Sequence, residues 1–177
     1  MFQRAGDDQL ALSDEQALLR LTTGGTNALG KTIPGLGLSQ NAPDVNLVRE
    51  FGDVEREHRN LLRTTLGNSA IDRFRYDFGI ETRSRKGVLD LIYLAEKTGV
   101  SAYLGAIRFF ATRTYLQVAG AIQGTEARHT AVFASLLNNL FDEGLDVAPR
   151  ANQGNGIDQP MTPDAVLAAV SPFIVTN

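Results

Sequence analysis

The chain has 177 residues, a length that suits one domain able to bury a real core. Hydrophobic residues make up 43% of it and charged residues 21%, an ordinary globular balance, and the net charge of -3 argues against a nucleic-acid surface, which needs clustered Lys and Arg. With no cysteine at all, disulfides, zinc knuckles and thiol chemistry are excluded.

No apolar run approaches the roughly 20 residues of a membrane span. The opening "MFQRAGDDQLALSDEQ" lacks the apolar stretch of a signal peptide. As written the chain is expected to be cytoplasmic, with a mature exported form as the alternative. The one basic cluster, "TRSRKG" at 82–87, reads as a solvated loop or helix start.

Several segments carry helical period and none shows sustained period-two alternation. The first runs from Ser13 to about Ile33 and opens on "SDEQ", an N-cap Ser followed by acidic residues. Three glycines in "TTGGTNALG" make it marginal, loose or broken, since each costs about 1 kcal/mol against Ala. "PGLGLSQNAPD" is a linker. The second helix is expected from about Pro43–Asp44 to Leu66, closed by Gly67. A loop with a short helical turn follows, then a third helix from about Lys86 to Phe110, unbroken at Gly99 because the apolar pattern stays in phase. The fourth runs from Thr112 or Thr114 to Phe141. After an irregular tail, "TPDAVLAAV" predicts a short helix with Thr162 as N-cap and Pro163 first, stopped by Pro172. The expected whole is one all-α domain over 1–177, an antiparallel four-helix bundle at about 13–141 with a tail at 142–177.

The inward lines of these helices contain charges. On the fourth helix the line is Tyr115, Val118, Ile122, Glu126, His129, Phe133, Leu136, Leu140; on the second, Val48, Phe51, Glu55, His58, Leu62, Thr65. On the third it is Leu89, Ile92, Glu96, Gly99, Tyr103, Ala106, Phe110. Carboxylates and imidazoles buried singly are costly. They become favourable when they share a divalent cation, and i, i+3 spacing sets Glu and His close enough on one face to bind one ion. A lone Glu–His pair is more simply a surface contact. Here both histidines of the chain follow a Glu at that spacing, with only eight Glu in 177 residues. If the third and fourth helices turn near Ala111, Glu96 and Glu126 each lie about 22 Å from the turn, at one level. The ligand candidates are therefore Glu55, His58, Glu96, Glu126 and His129. Tyr103 either fills the core or donates a hydrogen bond behind them. Carboxylate and imidazole donors suit iron or manganese, one or two ions.

The segments "EREHRNLL", "AEKTGVSAYLGA", "AIQGTEARHTA" and "TPDAVLAAVSPFIV" resemble the ferritin-like superfamily of carboxylate-bridged metal proteins, and within it the desiccation-related ferritin-like domain proteins. That resemblance implies a four-helix bundle with one Glu from each of two helices and Glu-x-x-His from each of the other two. It implies an iron or manganese site and, with it, an oxidoreductase or stress-protection role. The pattern asks for a first-helix Glu at the depth of Glu55, near Thr22 and Thr23, where none stands; Glu15 is some 10 Å further along. The alternatives are a mononuclear site, an asymmetric one, one completed by water or Asn27, or one no longer loaded. The second reading is accordingly a structural or assembly protein whose tail "AVLAAVSPFIV" packs on a partner or a second copy. The simpler expectation is that this tail folds back over its own chain. Storage in a hollow shell is a third and weaker reading.

Overall fold

The computed structural model describes residues 12–70 and 75–175. Its helices are α1 Leu12–Leu21, α2 Pro43–Leu66, α3 Arg85–Ala106, α4 Arg113–Phe141 and α5 Pro163–Val170. One short hairpin, β1 Gly24–Thr26 with β2 Thr32–Pro34, interrupts an otherwise all-α chain among the described residues. The chain forms two compact units, one reaching to Val88 and resumed from Phe173, the other Leu89–Pro172.

In the first unit α1 packs on α2, and Ala17, Leu21, Ile33, Val45, Val48 and Ile80 are buried. The helix expected to continue to Ile33 ends at Leu21. Ser13, expected as its cap, lies one residue inside α1, and its side chain is outside the described residues. The reason for the early stop is local. Gly24 takes φ +78, a left-handed conformation open to glycine, and a Cβ there would stand 2.5 Å from the Ile33 carbonyl oxygen. The chain therefore reverses instead of winding on. Asn27 closes the loop, its Oδ1 accepting from the Leu29 and Lys31 amides at 3.0 and 2.9 Å. The hairpin then sets Lys31 against Asp77 and, at 3.5 Å, Glu81.

The second helix starts at Pro43, where the missing N–H costs nothing, and stops at Gly67 as expected. Near its start Asp44 is buried, with Oδ2 accepting from Arg85 Nε at 2.8 Å. The following loop holds two 3₁₀ turns, Gly67–Ser69 and Ile80–Thr82; residues 71–74 of it are outside the described ones. The end of the tail lies against this loop. Asp77 N donates to Phe173 O and Val175 N to Arg75 O, each at 2.8 Å, and the Phe78 and Phe173 rings are 5.1 Å apart. The apolar end of the tail thus folds onto its own chain.

In the second unit α3 runs unbroken through Gly99 and tightens into a 3₁₀ turn, Ile107–Phe109. Thr112 caps α4 by accepting from the Tyr115 amide at 3.4 Å. Along α4, Ile122, Glu126, His129 and Phe133 are buried as the pattern predicts. Beyond them the buried line passes to Leu137, while Leu136 is half-buried and Leu140 is 40% exposed. At a period of 3.6 either of two adjacent residues can face inward at each turn, and packing decides which. Thr162 caps α5 through the Ala165 amide at 3.2 Å, with Pro163 in its first turn. Just before it, Met161 N donates to Ser101 O at 2.9 Å, laying the tail across α3.

Candidate metal centre

Helix α4 sends Glu126 and His129 from one face by their three-residue spacing. Helix α3 supplies Glu96, whose Oε2 lies 3.3 Å from His129 Nδ1. Glu96, Glu126 and His129 are 5%, 5% and 6% exposed. One ligand atom from each lies within 4.8 Å of the others. Two ionised carboxylates buried so close would repel, a repulsion that a shared cation would relieve, and the donors are of the right kind to hold one: hard oxygens and an imidazole nitrogen.

The pairing of the two helices differs in detail from the expected one. A turn at Ala111 would put Glu96 opposite Glu126. Glu96 and Glu126 do come within 4.8 Å of each other, but it is His129 that stands 3.3 Å from Glu96, and Gly99 that stands against Glu126, whose Oε2 would lie 3.0 Å from a Cβ on that glycine. The turn is therefore centred between Thr112 and Arg113. The 3₁₀ segment Ile107–Phe109 advances about 2.0 Å per residue and the extended Phe110 adds more, which displaces the register toward the C-terminus. Sequence reasoning had placed Gly99 on the inward line without a role; the signal it offered was a helix-disfavouring residue one turn from Glu96.

On α2, in the first unit, Glu55 and His58 are together. His58 Nδ1 stands 3.3 Å from each oxygen of the Glu55 carboxylate, and the His58 side chain is 13% exposed. Their histidine and carboxylate thus meet as their spacing predicts. Tyr103 is half-buried on α3.

The first helix contributes no buried carboxylate among its described residues. Glu15 is exposed. The neighbouring Gln16 is 1% exposed, and its Nε2 has no hydrogen-bond partner among the described residues. Because α1 ends at Leu21 rather than Ile33, Thr22 and Thr23 lie past its end rather than in its interior. Thr22 donates its hydroxyl to Leu18 O at 2.6 Å. Asn27 is no substitute ligand either, since its Oδ1 already accepts two amides of its own turn.

Among the described residues no helix is long and apolar enough to cross a membrane. No curated protein and no solved structure matches the chain at a significant level. A family model for the ferritin-like domain does match, over residues 15–139, a span that begins in α1, ends in α4 and contains all five acid and imidazole candidates. That match covers well over half of the sequence, and the chain belongs to the ferritin-like domain family.

Proposed function

We propose that this protein holds iron or manganese in a carboxylate–histidine centre and serves as a redox or metal-handling protein of stress protection. The observation that carries the reading is the buried convergence of Glu96, Glu126 and His129. Glu55 and His58 join them as ligands in this reading, supported by their shared place on the inward line of α2, by their mutual contact, and by the family pattern of paired Glu-x-x-His helices. The two units are then halves of one ferritin-like domain, as the span of the family match supports. Likeness of the quoted segments to the desiccation-related members supports the stress setting.

When bound, such a metal supplies one-electron chemistry toward dioxygen or peroxide. The chain's own part is to hold it. Glu96 orients the His129 ring through the 3.3 Å contact at Nδ1, and burial of all three side chains keeps bulk water from the donors.

A second reading, a structural or assembly protein with a degenerate site, draws on two observations. The described part of α1 offers Gln16 and no buried carboxylate, and Leu167 on α5 is 57% exposed, an apolar side chain that a partner chain would cover. Elemental mass spectrometry of the purified protein and of Glu126→Ala separates the two. About one to two iron or manganese ions per chain, lost in the variant, are expected for the metal centre. No metal after reconstitution, with a normally folded variant, would establish the structural reading instead.

A further inference from the structure

Gly99 lies in the middle of α3, where glycine is among the worst helix formers, yet the helix passes through it without a break. Its backbone therefore does not need the freedom glycine gives. Close approach of another backbone does not explain it either. At Gly105 a Cβ would strike the Met161 carbonyl oxygen at 1.9 Å, so that glycine makes room for main chain. At Gly120 nothing stands within 4 Å. At Gly99 the three nearest atoms are all of one side chain: Glu126 Oε2 at 3.0 Å, Cδ at 3.3 Å and Cγ at 3.5 Å. The space that a side chain would fill is filled by a carboxylate.

The same register that brings Glu96 to His129 brings Gly99 to Glu126, so two successive turns of α3 present a ligand and a gap to two successive acid and imidazole positions of α4. We infer that Gly99 is a positioning residue for the metal centre: its missing side chain lets the Glu126 carboxylate lie against α3 at the level of Glu96 and His129. This rests on the metal-binding reading above. A methyl group at 3.0 Å from Oε2 is too close, and the carboxylate must move by a few tenths of an ångström or turn away. In the metal-free protein that movement is open to the carboxylate, because all the obstructing atoms belong to one flexible side chain. With the carboxylate committed to a cation, it is not.

Gly99→Ala separates this role from plain packing. Alanine is the better helix former, so the metal-free variant should melt at or above the wild-type temperature. Its affinity for Co(II), titrated alone and followed by the visible absorption of the bound ion, should fall by about tenfold or more. The absorption bands should also shift, because Glu126 is displaced. Wild-type affinity with an unchanged spectrum would overturn the inference. So would a lowered metal-free melting temperature with an unchanged spectrum, the signature of a packing role. If Gly99→Ala does not fold, the double variant Gly99→Ala, Glu126→Asp withdraws the carboxylate by one methylene. Recovery of folding would support the contact, and failure to recover would refute it. Wild-type protein that takes up no Co(II) would instead refute the metal-binding reading itself, and this inference with it.

Discussion

Replacing Glu126 by Gln keeps the size of the side chain and removes one charge from a group where three polar side chains are about 95% buried. Unit charges 4.8 Å apart repel by about 3.5 kcal/mol at an effective dielectric of about 20. A closer approach of the Glu96 and Glu126 oxygens would strengthen that repulsion, and a proton on His129 beside Glu96 would offset part of it. A relief on the order of 1–2 kcal/mol is the expected remainder in metal-free protein. For a chain of this size it would raise the melting temperature by about 2–8 °C. With metal the order should invert. Wild-type protein at about 100 times its dissociation constant of Mn(II) gains about 2.7 kcal/mol, while the variant, short of a charged ligand, gains far less. Differential scanning calorimetry of both proteins, with chelator and with Mn(II), reads the crossing directly. A variant less stable than wild type in chelator, with an undiminished response to Mn(II), would refute the reasoning that two carboxylates here await a cation.

Three further outcomes follow from contacts away from the centre. Arg85→Ala leaves the buried Asp44, whose Oδ1 already lacks a partner, without its 2.8 Å donor; chemical denaturation should show a loss of about 2–3 kcal/mol, and a loss under 0.5 kcal/mol would mean that water replaces the guanidinium. The hydrogen bond from Lys31 lowers the Asp77 carboxyl below its ordinary 3.8 and raises the Lys31 ammonium above 10.5. The stabilisation from Asp77 is therefore full above about pH 4 and lost as pH falls through its lowered value; that from Lys31 is full below 10.5 and lost as pH rises through its raised one. Because Lys31 is 41% exposed, solvent screening limits the pair to about 0.5 kcal/mol, so Asp77→Asn should cost that much at pH 6 and nothing well below pH 3.8 in urea unfolding. Gly105→Ala drives a methyl group into the Met161 carbonyl and should break the Met161–Ser101 hydrogen bond, costing about 1–2 kcal/mol and opening residues 146–160 to limited proteolysis.

Periodicity was sufficient for α2, α3, α4 and α5, because long amphipathic runs bounded by Pro43, Gly67, Thr112 and Thr162 carry their own start and stop signals. It also put Glu96, Glu126 and His129 on inward lines, since a three-residue step sets side chains on one helix face whatever the partner is. The hairpin at 24–34 was not legible as such. Its strands are three residues each, too short to show alternation, and its glycines read equally well as a weak helix until the left-handed φ of Gly24 is known. The pairing of α3 with α4 belongs to tertiary structure as well. Sequence determined that a carboxylate and an imidazole would face inward on α4; the rise of the 3₁₀ turn and the extended residues after it decided that His129 Nδ1 comes to 3.3 Å from Glu96, and that a glycine stands where Glu126 needs room. A helix states which way its side chains point, but only the geometry of the turn between two helices sets the level at which they meet.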